Sequence, residues 1–104
     1  MTIQINTDKN LSVHEAFKAQ LDGLLSEELS RFSEHITRLE VHLSDENGNK
    51  QGLNDKKCII EARLEGRQAI AVTEIANDDE LAVSGAIKNL KALLGTIVGK
   101  LKHH

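Results

Sequence analysis

The amino-acid sequence predicts an α+β fold in which four strands and two helices follow one another in the order β-α-β-β-β-α. Apolar and polar residues alternate over four short segments, which is the pattern of a strand with one buried face. Over two longer segments, apolar residues recur every three or four positions, which is typical of an amphipathic helix. These patterns predict a two-layer sandwich: a four-stranded sheet with both helices on one face. No composition shift divides the 104 residues, so we expect a single domain, 1–104.

The first strand and helix lie in the N-terminal third of the chain. Ile3 and Ile5 alternate with polar residues and predict a short strand. Ser12 and Glu15 have the spacing of a capping box, which marks the start of a helix. The apolar stripe of this helix is predicted to run to about Phe32, through Phe17, Leu21, Leu24, Leu25, Leu29 and Phe32.

The second strand is predicted around Leu39, Val41 and Leu43, which alternate with polar residues. The stretch 44–55 is polar and rich in turn-forming residues, so it predicts a long, mobile hairpin loop. The polar face of the sheet, away from the helices, is expected to carry Arg38, Glu40, His42, Glu61 and Arg63.

The third strand is predicted from Cys58 to Leu64, and residues 65–67 predict a tight turn into a fourth strand over 68–75. The length of that turn decides which face of the fourth strand points inward, and the sequence leaves this open.

The second helix is predicted to begin at Asp78 or Asp79, either of which suits an N-cap. Its apolar stripe consists of Val83, Ile87, Leu90, Leu94, Ile97 and Leu101. Three glycines, Gly85, Gly95 and Gly99, interrupt the helix, and such small residues often permit a neighbouring element to approach closely.

The composition limits the classes of function. The chain has 13 basic and 16 acidic residues, a net charge of −3, so binding to a polyanion requires a local cluster of Lys and Arg. It has two Phe and neither Tyr nor Trp, which argues against base stacking as a mode of nucleic-acid binding. The apolar runs are short and no secretory signal is recognisable, so we expect no membrane span and a cytoplasmic location.

No group of residues has the pattern of a catalytic or metal site. His42 is expected to be an ordinary surface residue, and His14 and His35 lie at predicted helix ends. Residues 45–49 lack the ligand alternation of a calcium loop. Cys58 is the lone cysteine and is predicted to be a buried strand residue. We therefore expect no enzyme activity, cofactor, metal or small-molecule substrate.

Three segments carry a resemblance to a known family. They are Ile3-Gln4-Ile5-Asn6, the stretch 31–43 that reads RFSEHITRLEVHL, and Gly85-Ala86-Ile87-Lys88-Asn89-Leu90. Together with the predicted topology they resemble the hibernation-promoting factor and ribosome-associated inhibitor family, also called sigma-54 modulation proteins. The resemblance implies a domain whose basic helical surface binds the small ribosomal subunit near the decoding region and blocks tRNA and mRNA in stasis. The fold is also similar to a double-stranded-RNA-binding domain with an added first strand.

The candidate binding residues come from this resemblance and from local charge. Lys18, Lys100 and Lys102 match positions at which family members carry basic residues. Lys88 and Lys91 join Lys100 and Lys102 in the basic part of the second helix. The predicted rRNA-binding residues are therefore Lys18, Lys88, Lys91, Lys100 and Lys102. Positions that are typically basic in the family carry other residues here: Leu24, Glu28, Leu93 and Thr96.

The sequence is compatible with two functions. In the first, the chain contacts 16S rRNA in the small ribosomal subunit and inhibits or stores translation by occupying it. In the second, it is a protein-interaction module that has lost the RNA surface and uses its open sheet face or an edge strand, for instance to form a homodimer.

Overall fold

The computed structural model describes residues 1–7, 15–45 and 56–102, with side chains as far as residue 100. Its elements confirm the predicted order. They are β1 (Thr2–Thr7), α1 (Glu15–Glu28), a 3-10 helix (Ser30–Phe32), β2 (Ile36–Asp45), β3 (Lys56–Leu64), β4 (Ile70–Ala76) and α2 (Asp79–Lys102).

The four strands form one mixed sheet in the order β1-β2-β3-β4. β1 runs parallel to β2, and α1 makes the crossover that such a connection requires. The other two pairings are antiparallel. Ile3 lies opposite Leu39, and Val41 lies opposite Ile60, which in turn lies opposite Val72. The strand residues that face the helices therefore lie side by side on neighbouring strands, as the alternation predicts.

Both helices cover the same face of the sheet, and one hydrophobic core lies between the two layers. The strands supply Leu39, Val41 and Ile60, each with no exposed surface. Leu90 and Leu94 of α2 are equally buried. The predicted two-layer sandwich is thus confirmed. The opposite sheet face has no helix on it within the described part of the chain.

The prediction for α1 was wrong at two points. The α-helix ends at Glu28, and the chain reaches Phe32 through the 3-10 helix, which turns that ring into the core at 3% exposure. Leu24 is 39% exposed, although it was assigned to the apolar stripe. Leu21 and Leu25 already fill the buried face, so Leu24 falls on its border.

The hairpin between β2 and β3 begins later than predicted. Ser44 and Asp45 belong to β2, opposite Lys57 and Lys56 respectively. Asp45 is 7% exposed, and its Oδ2 lies 3.2 Å from Lys56 Nζ, so an ion pair closes this end of the hairpin. The rest of the predicted mobile loop lies outside the described residues, as do Ser12, His14 and the terminal His103 and His104.

The turn between β3 and β4 settles the orientation of the fourth strand. Gly66 adopts a φ of 70°, in the left-handed region that favours glycine. β4 begins at Ile70, two residues later than predicted, and Ile70 and Val72 pack against the core. Ile75 consequently lies on the open face and is 48% exposed.

The start of α2 is capped by Asp78, whose Oδ1 accepts a hydrogen bond of 2.8 Å from the backbone N–H of Leu81. This decides between the two predicted caps. Residues 79–100 are long and apolar enough to meet the length and composition criteria for a membrane-spanning helix. In the folded chain, however, Val83, Ile87, Leu90 and Leu94 of this helix are buried in the core, as in the core helix of a globular protein.

Candidate nucleic-acid interface

α1 and the 3-10 helix together line one long boundary with α2, which we call the helix seam. Near the start of both helices the seam forms an apolar groove that contains Phe17, Leu24 and Val83. Glu80 borders this groove. Among the described residues that line it, the first part of the seam therefore offers no positive charge to a phosphate.

The middle of the seam is a groove of about 300 Å³ between Glu28 on α1 and Lys88 and Lys91 on α2. Lys91 Nζ lies 3.5 Å from Glu28 Oε1, and the two side chains are 39% and 41% exposed. An ion pair with this exposure is worth at most about 1 kcal/mol, so Lys91 can exchange Glu28 for another anion at little cost. Lys88 is exposed on the same wall.

The last part of the seam is a groove of about 330 Å³ that Arg31, Phe32, Gly95 and Gly99 line. The Arg31 guanidinium lies 4.5 Å from the centre of the Phe32 ring, a cation–π contact that orients it. A Cβ atom at Gly95 would lie 3.8 Å from an Arg31 nitrogen, which is an ordinary van der Waals distance, so Arg31 lies beside this position of α2.

Arg31 is a candidate binding residue that sequence reasoning missed. Nothing in the sequence around it is distinctive. Its place beside α2 depends on how the 3-10 helix packs, which no local pattern of residues predicts.

The structure brings some of the predicted binding residues together and separates one from them. Lys88 and Lys91 share the middle groove, and Lys100 is exposed further along α2. Lys18 instead lies in a groove between α1 and β1, 3.9 Å from the Glu15 carboxylate and also beside Asp22. Lys102 belongs to α2, but its side chain is outside the described part of the chain.

The charge of the helix seam changes from one end to the other. Its first part is apolar with an acidic border, and positive charge begins at Lys88 and continues toward the C-terminal end of α2. We call Arg31, Lys88 and Lys91 the basic end of the seam, and Lys100 is exposed further along the same helix. Their ammonium and guanidinium groups are donors suited to phosphate oxygens.

The lone cysteine of the chain is not part of this surface. Cys58 is fully buried in β3, and burial raises the pKa of its thiol to about 12, with the nearby negative charge of Asp79 adding to the effect. A thiol with such a pKa stays protonated at neutral pH and is unreactive.

Comparisons with known proteins identify one matching family and similar solved structures. The family described as "Sigma 54 modulation protein / S30EA ribosomal protein" matches residues 3–102. The N-terminal domain of Thermus thermophilus Protein Y has a similar structure, with a TM-score of 0.73 and 20% identity over 93% of this chain and 99% of that one. A ribosomal subunit interface protein from Coxiella burnetii is similar as well, with a TM-score of 0.67 and 19% identity over 95% and 99%. None of the curated protein sequences compared with the chain matches it.

Proposed function

Since the chain belongs to the sigma-54 modulation and S30EA ribosomal protein family, we propose that it binds the small ribosomal subunit and inhibits or stores translation in stasis. It acts in the cytoplasm as a non-catalytic protein, by occupying its site on the subunit. The similar Coxiella burnetii protein is described as a ribosomal subunit interface protein, which supports the same partner here.

The observation that carries the proposal is the basic end of the seam. The chain as a whole has a net charge of −3, so its bulk charge repels RNA. Arg31, Lys88 and Lys91 nevertheless line neighbouring grooves of the seam, and this local cluster gives 16S rRNA phosphates a surface to bind. Lys100 and Lys102 follow nearer the C-terminal end of the same helix.

Lys18 contributes less under this proposal than the resemblance implies. Glu15 and Asp22 surround it, and it lies on the β1 side of α1. We therefore assign rRNA contact first to the lysines of α2 and to Arg31.

Co-sedimentation with purified 30S subunits at a series of salt concentrations tests the proposal. Each neutralised phosphate releases counterions, so four contacts predict a slope of log affinity against log salt of roughly −3 to −4. Lys88→Glu and Lys100→Glu should each weaken binding and reduce the slope by about one contact. Arg63→Glu is the matched control, because it makes the same charge reversal on the opposite face of the sheet.

Two results would contradict the proposal. One is the absence of co-sedimentation at low salt. The other is equal loss of binding in the Arg63→Glu control and the α2 variants, which would mean that net charge alone governs association.

The protein-interaction alternative has one observation in its favour. Leu24 and Leu93, at positions that are typically basic in the family, are 39% and 36% exposed. If the chain forms a homodimer in place of a ribosome complex, sedimentation equilibrium of the isolated protein should give twice the monomer mass, and Leu93→Lys should lower it.

A further inference from the structure

The open face of the sheet carries a group of side chains that the proposed function does not use. Glu40 and His42 are two residues apart on β2, so they point to the same side. Glu61 on β3 lies directly opposite Glu40. One ligand atom from each of the three residues lies within 4.8 Å of the other two. We propose that Glu40, His42 and Glu61 bind one zinc ion.

The distances are close to those of a formed site. His42 Nε2 and Glu40 Oε2 are 3.8 Å apart. Zinc bonds to nitrogen and carboxylate oxygen are about 2.0–2.2 Å long, so two ligand atoms on one tetrahedral ion are roughly 3.4 Å apart. All three ligand atoms lie within 4.8 Å of one another, so the widest separation in the cluster needs to close by at most about 1.4 Å. Rotation about the side-chain bonds of the two glutamates closes this distance.

The two carboxylate oxygens of Glu40 face different neighbouring residues. Arg38 Nε donates a hydrogen bond of 2.8 Å to Oε1, and Arg38 also donates to Gln4. The second oxygen, Oε2, is the one that faces His42. An outer residue that fixes a ligating carboxylate in this way is typical of metal sites, because it lowers the cost of ordering the ligand.

Glu40 and Glu61 together carry one more negative charge than the guanidinium of Arg38, which pairs with Glu40, neutralises. Carboxylates directly opposite each other on neighbouring strands are destabilising, and Glu40 and Glu61 have this relation. All three side chains are half-buried, which weakens solvent screening of that repulsion. An ion between the carboxylates converts the repulsion into attraction.

The three ligand atoms favour zinc over magnesium and calcium. One imidazole nitrogen with two carboxylate oxygens suits zinc, whereas magnesium and calcium prefer oxygen donors throughout. Three protein ligands leave a fourth tetrahedral position for water. The sequence signal for this site was the alternation Glu40-Val41-His42, but the position of Glu61 opposite it depends on a strand register that the sequence leaves undetermined.

Calorimetric titration of the purified chain with zinc chloride tests the site. We expect one equivalent whose binding depends on the three proposed ligands, with affinity at least tenfold weaker in His42→Ala and in Glu61→Gln. Glu27→Gln on α1 is the matched control for the loss of one carboxylate and should bind as the parent does. All variants retain His103 and His104, so zinc held by that terminal pair is unaffected by these substitutions.

Thermal unfolding gives a second measurement. Zinc should raise the melting temperature of the parent and of Glu27→Gln, because a ligand that binds only the folded state stabilises it. The rise should be lost in Glu61→Gln, whose melting temperature without zinc should equal or exceed that of the parent, since the repulsion is gone. Unchanged stoichiometry and affinity in His42→Ala and Glu61→Gln would overturn the site, and so would an absence of zinc binding to the parent.

Discussion

At the scale of single residues, burial decides the chemistry of Cys58. Its side chain has no exposed surface in β3, and the pKa of its thiol rises from an ordinary 9.0 to about 12 because burial penalises the thiolate. We expect native protein at pH 8 to react slowly with thiol reagents and unfolded protein to react fast. Complete labelling of the native chain at the rate of the unfolded chain would contradict this.

The same pKa shift makes stability depend on alkaline pH. The folded thiol stays protonated above pH 9, whereas the thiol of the unfolded chain ionises there, so unfolding is favoured as the pH rises. The stabilisation is complete below about pH 9 and is lost toward about pH 12. The free energy of unfolding from urea titrations should therefore fall across this window by more in the parent than in Cys58→Ala. Lysine ionisation affects both proteins and cancels in the comparison.

Leu90 illustrates how one buried side chain supports both layers. It has no exposed surface on α2 and lies in the core shared by the strands and both helices. Leu90→Ala should lower the free energy of unfolding by about 2–5 kcal/mol, because it leaves a cavity. Leu24→Ala is the control: Leu24 is 39% exposed, so its loss should cost less than about 1 kcal/mol. Equal losses in urea titrations would mean that the helix faces are assigned wrongly.

At the scale of elements, the glycines in the two helices differ in what surrounds them. A Cβ at Gly23 of α1 would meet nothing within 4 Å, whereas one at Gly85 of α2 would overlap the side chain of Glu74 on β4, whose Cγ would be 2.6 Å away. Gly23→Ala should stabilise the protein by about 0.5–1 kcal/mol, since alanine is the better helix former. Gly85→Ala should gain less or destabilise, as measured by thermal unfolding. An equal gain at both positions would contradict a structural role for Gly85.

The strands illustrate what the sequence is able to predict. Alternation alone identified the buried residues of β2 and β3, because each side chain's face follows from its parity along the strand. The end of α1 was placed too late, because a 3-10 helix continues an apolar spacing that reads as α-helix. The start of β4 and its inward face depended on a turn whose length the sequence leaves open.

The candidate site was harder to predict because it depends on which elements become neighbours. The sequence identified Lys88 and Lys91 from their spacing on one helix. It gave no reason to place Lys18 on the β1 side of α1, away from those lysines. Arg31 and Gly95 meet only because the 3-10 helix packs beside α2. Contacts between segments that are far apart in sequence can be predicted only when the fold is known.

At the scale of the whole molecule, Glu28 controls how much of the positive charge on the seam is available. Its carboxylate is paired with Lys91 across the two helices. Glu28→Lys removes that partner and adds a cation, so affinity for 30S subunits should rise by roughly two- to fivefold, given that exposed charge pairs are worth up to about 1 kcal/mol. Binding is measured by co-sedimentation at fixed salt.

Glu15→Lys is a stringent control for this effect. It makes the same change of net charge on the same helix, but it lies beside Lys18 in the groove next to β1. We expect a smaller change in affinity. A gain in affinity equal to that of Glu28→Lys would indicate that the net charge of the protein, and not the location of the added lysine on the seam, governs ribosome association.

The parallel pairing of β1 with β2 has a consequence for how the domain opens. Ile3 and Leu39 are about three times as far apart in sequence as Ile60 and Val72, so closing the first pair costs about 1 kcal/mol more in chain entropy. β1 also has a neighbour on one side only, and its isoleucines are half-buried. Because local contacts form earlier in folding, we expect the β2-β3-β4 meander to assemble first, with β1 docking last. Native-state hydrogen exchange should then show that the amides of β1 open together at a lower free energy than those of β3. The edge strand beside α1 should therefore be the first strand to unfold in denaturant.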